Sequence, residues 1–442
     1  MKTFALGGVH PEEAKVSAAK AVEILPLPQK VIVPLGQNLG APSKALVKKG
    51  DEVKVGQLIA TAEAFISSNI HSPVSGKVEK VDDYLDSTGY RRPAIFIDVI
   101  GDDWDSTIDT SKEIVSEISL SSTEIIQKMK DMGIVGLGGA TFPSHVKLML
   151  PDGKKAEYLI INGVECEPYL TSDHRLMLER GEEMMIGVRI LMKGLQVQKA
   201  LIGIEANKPD AIQALTSLVA HFPGIEVHAL KVQYPQGGEK QLIKALLNRE
   251  VPSGKLPIEV GCVVNNVGTA FAVYEAIQKN KPLVERIVTV TGSNIQNPGN
   301  YLVRIGTPVR ELLEKAGWNP ETAGKIINGG PMMGKAVSST DVPVVKGTSG
   351  ILVFDQEESK RPNVQACIRC AKCVSVCPMG LEPYLIARAS EIGMYEIAEN
   401  EHAMDCMECG SCQYTCPSAR PLLDHLRLGK NKVAHIIRTR KN

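Results

Sequence analysis

The chain has 442 residues, of which 43% are hydrophobic and 23% charged, and its formal net charge at pH 7 is zero. This length is enough for about three domains with apolar cores. The balanced charge gives no support to a nucleic-acid-binding protein, which would need a strongly basic domain. The N-terminal segment MKTFALGGVHPEEAK lacks the apolar stretch of a signal peptide, and no apolar run approaches the roughly 18 residues of a membrane-spanning helix. We therefore expect a chain that is not secreted and does not span a bilayer, although it can still dock onto one.

Short strands broken by turn signals such as Gly50-Asp51 fill the first part of the chain, which we predict to be a barrel-sandwich hybrid domain at residues 1–105. This pattern resembles the domains that carry lipoyl or biotinyl groups. No lysine lies between Lys54 and Lys77, however, where a carrier lysine would be needed. We interpret the domain as a structural or docking module rather than a swinging-arm carrier.

The segment SSTEIIQKMKDMG follows, with Ile125, Met129 and Met132 on one predicted helix face and Gly133 as the helix stop. Strand-like and helix-like segments then alternate, which is typical of an α/β domain. We place this central α/β domain at residues 120–255.

A third pattern of strand, hairpin, strand and helix predicts a β-grasp domain of the soluble-ligand-binding type at residues 256–350. Thr307 is the expected N-cap of its helix, Pro308 the first helical residue and Gly317 the stop. Its GGPMMG loop is expected to pack domains together rather than to bind a ligand. The basic tail at 426–442 is expected to be a solvated segment, with anionic lipid or a partner as the alternative contact.

Eight of the ten cysteines fall in two copies of the pattern C-x2-C-x2-C-x3-C-P, which starts at Cys367 and again at Cys406. In bacterial ferredoxins three thiolates with this spacing wrap one cubane, and the fourth ligates the other cluster. The pattern therefore predicts a helical 2x[4Fe–4S] ferredoxin-like domain at residues 358–425. The predicted ligands of cluster 1 are Cys367, Cys370, Cys373 and Cys416, and those of cluster 2 are Cys377, Cys406, Cys409 and Cys412.

A pair of structural zinc sites is the alternative for these cysteines. Four-cysteine zinc sites usually consist of two CxxC pairs with a longer spacer, which does not account for a third step followed by x3-C-P. Two clusters with crossed ligands form instead a path for single electrons. Cys166 and Cys262 lie outside the repeat and are predicted to be core thiols.

A glycine-rich segment, GIVGLGGATFPSHVKL, runs from Gly133 to Leu148. It is not a dinucleotide fingerprint, because that pattern follows a strand and ends in glycine, whereas this loop follows a predicted helix and has Thr141 at the last position. Its glycines permit close backbone approach, and a helix starting at Ser144 would direct N–H groups at a phosphate. Taken alone, the segment fits an ordinary turn-rich loop equally well.

Longer stretches carry a more specific resemblance. GLGGATFPSHVK is similar to the flavin loop of the NADH-oxidising subunit of respiratory complex I, approximately GRGGAGFPTGLK, and YLIINGVECEPYLTSDHRLM and VVNNVGTAFAVYEAI resemble two further segments of that family. The likeness is greater to the C subunits of Rnf complexes, which are membrane-associated ion-translocating ferredoxin:NAD oxidoreductases. It includes GGVHPEE, YPQGGEKQLI, GGPMMG and the twin cysteine motif in the same order, and it covers nearly the whole chain.

The resemblance implies that the central domain at residues 120–255 binds FMN and NADH, with NAD(H) as substrate. Three glycines and a lysine would surround the phosphate end: Gly136, Gly138, Gly139 and Lys147. Asn162 and Glu165 would reach the isoalloxazine or ribityl groups, since a carboxylate suits hydroxyl and N–H donors but repels phosphate. The wall of the site would be completed by Glu239, Asn265, Asn266 and Thr269. Phe142 and Glu167 match positions that meet the nicotinamide nucleotide in the complex I family. Lys240, which follows Glu239, is also predicted to be a cofactor-binding residue.

Three positions depart from the family pattern: Leu137 replaces an arginine, Val164 an aspartate, and Lys240 the second residue of an acid pair. A chain that connects nicotinamide, which exchanges a hydride, with clusters that take single electrons needs a flavin between them. The resemblance thus implies an NAD-linked oxidoreductase and translocase subunit, peripheral at the cytoplasmic face of the bacterial cell membrane. Its partners would be other subunits of an Rnf-type complex, with ferredoxin reached indirectly.

Two other functions stay open. One is a flavin-free iron–sulfur electron-relay scaffold, which Leu137 and Val164 favour. The other is a soluble NADH-dependent flavin and iron–sulfur dehydrogenase that needs no membrane partner.

Overall fold

A computed structural model describes residues 1–441 of the chain. It shows a multidomain protein of mixed α and β structure, as the sequence predicts. Along the chain, a unit with a parallel sheet is preceded and followed by units with sheets of their own, and a helical unit comes last. No helix within residues 1–441 is long and apolar enough to cross a membrane.

The N-terminal unit consists of two small antiparallel sheets. The strands in this part of the chain are β1 (Val22–Ile24), β2 (Lys30–Pro34), β3 (Lys44–Ala45), β4 (Glu52–Val53), β5 (Leu58–Thr61), β6 (Ile70–His71), β7 (Ser75–Leu85) and β8 (Arg91–Gly101). The sheet orders are β2-β8-β7-β4 and β3-β5-β6. Alternate residues point into one core, as Val31 opposite Ile97 and Val33 opposite Ile95 illustrate. Strand β1 is not part of this unit.

The central unit is a four-stranded, fully parallel sheet with the order β11-β10-β9-β12. Its elements are α1 (Ser122–Asp131), α2 (Ser144–Leu148), β9 (Tyr158–Asn162), α3 (Ser172–Glu179), α4 (Gly181–Leu195), β10 (Lys199–Glu205), α5 (Pro209–Leu218), β11 (Ile225–Leu230), α6 (Glu239–Leu247), β12 (Cys262–Asn266) and α7 (Val267–Gln278). Helix α1 begins with a capping box between Ser121 and Glu124, and it buries Ile125 and Met129 as predicted. The expected boundary at residue 255 cuts through this unit, because β12 and α7 complete it.

The third unit is a six-stranded mixed sheet covered by one helix. Its elements are β13 (Glu285–Thr291), β14 (Gly299–Arg304), α8 (Val309–Ala316), β15 (Ala323–Asn328), β16 (Lys335–Ala336) and β17 (Gly350–Asp355). The order is β1-β14-β13-β17-β15-β16, so the N-terminal strand β1 adds a parallel edge here rather than to the first unit. Strand β17 extends past the predicted limit of 350. Gly317 ends α8, but its N-cap is Pro308 rather than Thr307.

The C-terminal unit is helical. Its elements are α9 (Lys372–Ser375), α10 (Pro383–Glu391), α11 (Tyr395–Asn400), α12 (Ser411–Tyr414) and α13 (Leu422–Lys441). Helix α13 packs on α10 and buries Leu426 and Val433. The predicted solvated tail is therefore a helix as far as residue 441. It packs through apolar side chains such as Val433 and Ile437, which recur on one face between its basic residues.

Candidate functional site

The predicted flavin residues gather at the carboxyl edge of the parallel sheet. Asn162 at the end of β9 lies opposite Asn266 at the end of the neighbouring strand β12. From β9 the chain continues outward through β10 and β11, and it then returns to the other side of β9 as β12. Ligands of open α/β sheets bind outside the carboxyl ends of the strands at such a reversal of order.

The glycine loop between α1 and α2 is held from both sides. Gly136 N donates to the carbonyl oxygen of Phe142 (2.8 Å), which closes the base of the loop. Leu137 N donates to Thr269 Oγ1 (2.9 Å) on α7. The Leu137 side chain itself is buried in the core of the central unit. The loop is thus fixed to the sheet edge through its backbone.

Gly138 lies close to Asn266 at the sheet edge. Its φ is +74°, and a Cβ atom there would lie 2.8 Å from Asn266 Nδ2. Glycine is required here for the backbone conformation and for the close approach. The next residue, Gly139, is exposed and would place a Cβ in open space. A ligand can therefore come close to the backbone at Gly139.

Asn265 and Asn266 differ in their surroundings. Asn266 begins α7, with its Oδ1 accepting from Gly268 N (2.7 Å) and its Nδ2 donating to Asp173 Oδ2 (2.6 Å). Asn265 is only 3% exposed, and neither atom of its side-chain amide has a hydrogen-bond partner among the described residues. An unpaired buried amide costs on the order of 1–3 kcal/mol, so this group is suited to a ligand that supplies a donor and an acceptor.

Lys147 brings a cation to the same edge. Its Nζ donates to the carbonyl oxygen of Val264 (2.9 Å) and lies 3.2 Å from Glu239 Oε1. Asn162 is held by a hydrogen bond from its Nδ2 to the carbonyl oxygen of Gly237 (2.9 Å). The structure thus brings together the glycines, Lys147, Asn162, Glu239, both asparagines of β12 and Thr269.

Glu165 lies beside the start of helix α3. Its carboxylate accepts hydrogen bonds from Asp173 N (2.8 Å), His174 N (3.1 Å) and Ser172 Oγ (3.2 Å). The two backbone N–H groups lie in the first turn of α3 and have no partner within the helix. A carboxylate at this end also interacts favourably with the helix dipole. In this structure Glu165 therefore holds a helix N-terminus, and its oxygens are already paired.

Glu167 contacts the GGPMMG loop of the third unit. Its two oxygens accept hydrogen bonds from Met332 N (3.1 Å) and Met333 N (2.8 Å), and Tyr234 Oη lies 3.5 Å away. Burial raises the pKa of Glu167 to about 7. The loop thus packs two units together, as expected. Lys240, in contrast, is not brought to the flavin edge, because its Nζ points to the carbonyl oxygen of Pro252 (3.4 Å).

Two partly buried charged residues that sequence reasoning did not single out support this region. Lys15 donates to the carbonyl oxygens of Glu165 (2.8 Å), Glu167 (2.8 Å) and Leu170 (2.6 Å), and burial lowers its pKa to about 8. Asp173 contacts Asn266, and burial together with the neighbouring Glu165 carboxylate raises the pKa of Asp173 above its usual range. No local pattern marks Lys15, whereas Asp173 lies within the matched segment YLTSDHRLM.

The predicted ligands of cluster 2 line one largely apolar cavity in the C-terminal unit. They are Cys377, Cys406, Cys409 and Cys412. The fourth cysteine of the first motif therefore meets the first three of the second motif, which is the arrangement that crossed ligation requires. Burial raises the pKa of Cys406 to about 11. A bound iron ion would displace the proton of such a thiol and hold it as a thiolate.

The predicted ligands of cluster 1 lie nearer to solvent. Cys367 and Cys370 are exposed, and Cys373 and Cys416 are partly buried beside each other. Ser418 Oγ donates to the carbonyl oxygen of Ala366 (2.9 Å), which brings the start of the first motif to the end of the second.

The two motifs share backbone geometry as well as spacing. In the first motif Arg369 and Ala371 have φ of +57° and +58°, and in the second Glu408 and Gly410 have +61° and +79° at the same positions. Short helices α9 and α12 then follow and pack against each other. Three of these four residues are not glycine, so the left-handed turns are held by the surrounding fold.

The cavity of cluster 2 is the one that lies against the central unit. Tyr234 Oη donates to the carbonyl oxygen of Cys409 (2.7 Å), and Gln241 Nε2 donates to that of Pro378 (3.2 Å). Gly238 approaches Met407 so closely that a Cβ there would lie 2.5 Å from Met407 Cε. The Gly237-Gly238 turn that holds Asn162 therefore also contacts the cluster unit.

Cys166 and Cys262 are placed apart from the repeat. Cys262 is fully buried in β12. Cys166 Sγ accepts a hydrogen bond from Gly237 N (3.4 Å), and it packs near Tyr234 and Met407. Cys166 thus lies at the junction between the flavin edge and the cluster unit.

Comparison with known proteins agrees with this division. Four family models match: the RnfC barrel sandwich hybrid domain at residues 3–102, the Nuo51 FMN-binding domain at 129–275, the SLBB domain at 287–336 and a 4Fe-4S dicluster domain at 360–417. The C subunit of the proton-translocating ferredoxin:NAD(+) oxidoreductase complex of Clostridium ljungdahlii is 46% identical, over 91% of this chain and 87% of that protein. The chain belongs to the family of Rnf complex C subunits.

Two further comparisons give another relative of this Rnf C subunit and a solved structure with a similar fold. Its counterpart in the Na(+)-translocating ferredoxin:NAD(+) oxidoreductase complex of Acetobacterium woodii is 44% identical, over 97% of this chain and 96% of that protein. The fold also resembles the structure of an NAD+-reducing [NiFe]-hydrogenase in the H2-reduced state, with a TM-score of 0.50 and 20% identity. That match covers 73% of this chain and 66% of the hydrogenase chain, just under two thirds, and it concerns the fold alone.

The residues at the sheet edge fit the FMN that the matched domain is named for. The unpaired amide of Asn265, the open backbone at Gly139 and the cation of Lys147 offer the donors, close approach and charge that a phosphorylated isoalloxazine needs. Leu137 and Val164, the departures from the complex I pattern, are both buried in apolar clusters. The Rnf C subunit thus buries these two side chains in its core, and hydrogen bonds of the loop backbone hold the loop in place.

Proposed function

We propose that this Rnf C subunit is the peripheral, cytoplasmic-side subunit of a membrane-bound, ion-translocating ferredoxin:NAD+ oxidoreductase. It would transfer electrons between NAD(H), FMN and two [4Fe–4S] clusters. The relatives at 46% and 44% identity are named as parts of a proton-translocating and a Na+-translocating complex. Because those names differ at similar identity, the proposal names no coupling ion.

The observation that carries the proposal is the position of the second cysteine set. Its cavity lies against the turn that holds Asn162, through Tyr234 and Gly238. A chain that only bound iron as a separate module would not need this contact. The arrangement supports a protein in which a two-electron site and a one-electron site share one junction.

Bound FMN would supply the chemistry, since a flavin accepts a hydride from a nicotinamide and gives up electrons singly. The chain supplies binding and orientation. The Asn265 amide would pair with polar groups of the flavin, and Lys147 would lie near the anionic phosphate. Glu239, which partly neutralises Lys147, would face hydroxyl rather than phosphate groups.

The exposure of the first cysteine set favours contact with a partner protein. Residues 361–372, which include Cys367 and Cys370, are all exposed. Cluster ligands at the surface allow an electron carrier to approach closely. We assign this face to the exchange with other subunits of the complex, and the docked face to the exchange with the central unit.

The test uses anaerobically purified, reconstituted full-length protein. We expect one bound FMN, about eight iron atoms from two four-iron clusters, and bleaching of the iron–sulfur absorbance by NADH. Full iron content without FMN binding would favour the flavin-free scaffold and overturn the proposal. Membrane fractions are then examined after gentle lysis, where a protein found free of membranes would favour the soluble dehydrogenase.

A variant of Asn265 tests the site itself. Asn265→Leu should weaken FMN binding by about 5- to 150-fold, the equivalent of 1–3 kcal/mol. The flavin-free protein should be as stable as the wild type or more stable, because an unpaired buried amide has been removed. Asn363→Leu, at an exposed position of the cluster unit, is the matched control. If Asn265→Leu binds FMN normally, the amide is not part of the site.

A further inference from the structure

Residues 2–15, which precede the barrel-sandwich sheets, cross the central unit and reach the cluster unit. We call them the N-terminal strap. Lys231 N, directly after the edge strand β11, donates to the carbonyl oxygen of Lys2 (2.9 Å). Val9 and Tyr234 then exchange two backbone hydrogen bonds, of 2.8 and 2.9 Å. Backbone pairing at these two points fixes the path of the strap along the central unit.

Gly7 is the residue at which the strap contacts the cluster unit. Its φ is +68°, and a Cβ atom there would lie 2.6 Å from the carbonyl carbon and oxygen of Cys377 and from the carbonyl oxygen of Val376. Gly8 N donates to that oxygen of Val376 (2.9 Å), and Gln233 Nε2 donates to the carbonyl oxygen of Gly7 (2.8 Å). Any side chain at Gly7 would force the two backbones apart.

The strap contacts both chain segments that carry the predicted ligands of cluster 2. Cys377 is the ligand that comes from the first motif, and Gly7 lies against its backbone. Cys409 comes from the second motif, and Val9 packs with it in a small apolar cluster. Tyr234, the backbone partner of Val9, also donates its hydroxyl to the carbonyl oxygen of Cys409 (2.7 Å). The strap therefore lies where the two motifs meet at one cluster.

The other end of the strap is fixed beside the flavin strand β9. Lys15 Nζ donates to the carbonyl oxygens of Glu165 (2.8 Å), Glu167 (2.8 Å) and Leu170 (2.6 Å), which all lie in the segment that follows β9. An ammonium group has three donors, so all of them are used here. A stretch of nine residues, 7–15, thus contacts a cluster ligand at one end and the chain after the flavin strand at the other.

We infer that the N-terminal strap positions cluster 2 against the flavin edge, with Gly7 as a positioning residue for electron transfer between them. The inference rests on the proposed function, in which the docked cluster exchanges electrons with the flavin. Reacting groups must be held at a defined distance and orientation, and small displacements are costly. Gly7 acts through the backbone of Cys377 rather than by touching a cofactor.

The test compares Gly7→Ala with the wild type, both as reconstituted, FMN-loaded, anaerobic full-length protein. Carbon atoms pack at about 3.5–4.0 Å, so the added Cβ should separate the strap from Cys377 by roughly 1 Å. The iron and FMN contents should equal those of the wild type, and NADH should bleach the flavin absorbance at the wild-type rate. Reduction of the clusters, followed by rapid mixing and electron paramagnetic resonance, should be slower by about 10- to 100-fold.

Gly393→Ala is the matched control. Gly393 is exposed in the cluster unit and has a φ of +79°, but a Cβ atom there would meet nothing within 4 Å. The control therefore has the left-handed strain without the close approach, and its clusters should be reduced at the wild-type rate. Equal rates of cluster reduction in the two variants would overturn the inference, as would slower bleaching of the flavin in Gly7→Ala.

Hydrogen exchange without NADH gives a second measurement. Residues 233–241 include the contacts with the cluster unit made by Tyr234, Gly238 and Gln241. Their amides should exchange faster in Gly7→Ala than in Gly393→Ala, because the junction opens more often. Unchanged exchange would overturn the inference.

The exchange measurement also separates the inference from the proposed function. Wild-type clusters that are reduced by dithionite but not by NADH would count against the proposed function, and the exchange rates would then decide the inference alone. If Gly7→Ala does not fold, Gln233→Leu replaces it, because this change removes the side-chain hydrogen bonds to Thr3 and Gly7 of the strap. Cluster reduction about threefold slower is expected there, and an unchanged rate with unchanged exchange overturns the inference.

Discussion

The two cysteine motifs have the same spacing and the same left-handed backbone positions, but they lie in different surroundings. The set with Cys406 and Cys412 is enclosed and docked on the central unit, whereas the set with Cys367 and Cys370 faces solvent. Their local sequence determines which metal cluster they can hold. The contacts of Tyr234 and Gln241, which come from another unit, determine what each cluster can exchange electrons with.

The largest expected effect comes from removing one ligand of each set. Cys412→Ser and Cys370→Ser should each lose one cluster, which lowers the iron content to about half. If the docked set serves the central unit, NADH should no longer reduce the remaining cluster in Cys412→Ser. In Cys370→Ser it should still reduce the remaining one. The measurement is the electron paramagnetic resonance spectrum after addition of NADH.

Dithionite reduction is the control for that experiment, because it reaches any intact cluster directly. Both variants should show one cluster signal with dithionite. If the remaining cluster of Cys412→Ser is reduced by NADH as fast as in the wild type, the proposed difference between the two faces is wrong.

A second test concerns a buried charge at the other junction of the central unit. Lys346 is fully buried, its Nζ donates to Ser68 Oγ (3.0 Å) and to the carbonyl oxygens of Asn69 (2.7 Å) and Gly133 (2.7 Å), and burial lowers its pKa to about 7. The neighbouring His71 has a pKa lowered to about 3, also chiefly by burial, so it stays neutral in this range.

The direction of the change in stability with pH follows from the number of protons that the folded and unfolded chains bind. Between pH 7 and the ordinary lysine pKa of 10.5, the unfolded chain binds a proton at Lys346 that the folded protein does not. The free energy of unfolding of the wild type should therefore rise with pH relative to Lys346→Met, by at most about 1.4 kcal/mol per pH unit. Denaturant unfolding at pH 7 to 10 measures it, with exposed Lys335→Met as the control. Parallel pH profiles for wild type and Lys346→Met would show that this lysine keeps an ordinary pKa.

A third test compares two neighbouring glycines of the loop that lie in different surroundings, as the two cysteine sets do. Gly138→Ala should lower the stability of the flavin-free protein by about 1–2 kcal/mol, since alanine meets Asn266 and takes a left-handed φ. Gly139→Ala should change that stability by less than about 0.5 kcal/mol, because its Cβ meets nothing, but it should weaken FMN binding. Thermal unfolding and flavin fluorescence separate the two effects. Equal stability losses would contradict the geometry of the loop.

Features that depend on local spacing could be predicted from the sequence, and features that depend on tertiary contacts could not. The helix face with Ile125 and Met129, the stop at Gly317 and the cysteine repeat all depend on residues close together in the chain. Strand β1 pairs with a strand more than 270 residues away, so no local pattern showed which sheet it joins. The contact of the Glu165 carboxylate with the start of α3 could not be predicted either, because it depends on where Asp173 N lies in the folded chain.

The smallest expected effect concerns the docked face itself. Tyr234→Phe removes one hydrogen bond, to the carbonyl oxygen of Cys409, and should lower the free energy of unfolding by about 1 kcal/mol. Tyr414→Phe is the matched control, because Tyr414 is exposed in the second motif and points to solvent. Both variants should keep their full iron content, which is measured beside denaturant unfolding. Because Tyr234 joins the central unit to a cluster ligand, NADH-dependent cluster reduction should slow in Tyr234→Phe and stay unchanged in Tyr414→Phe. Equal rates in the two variants would mean that the hydrogen bond stabilises the junction without affecting electron exchange across it.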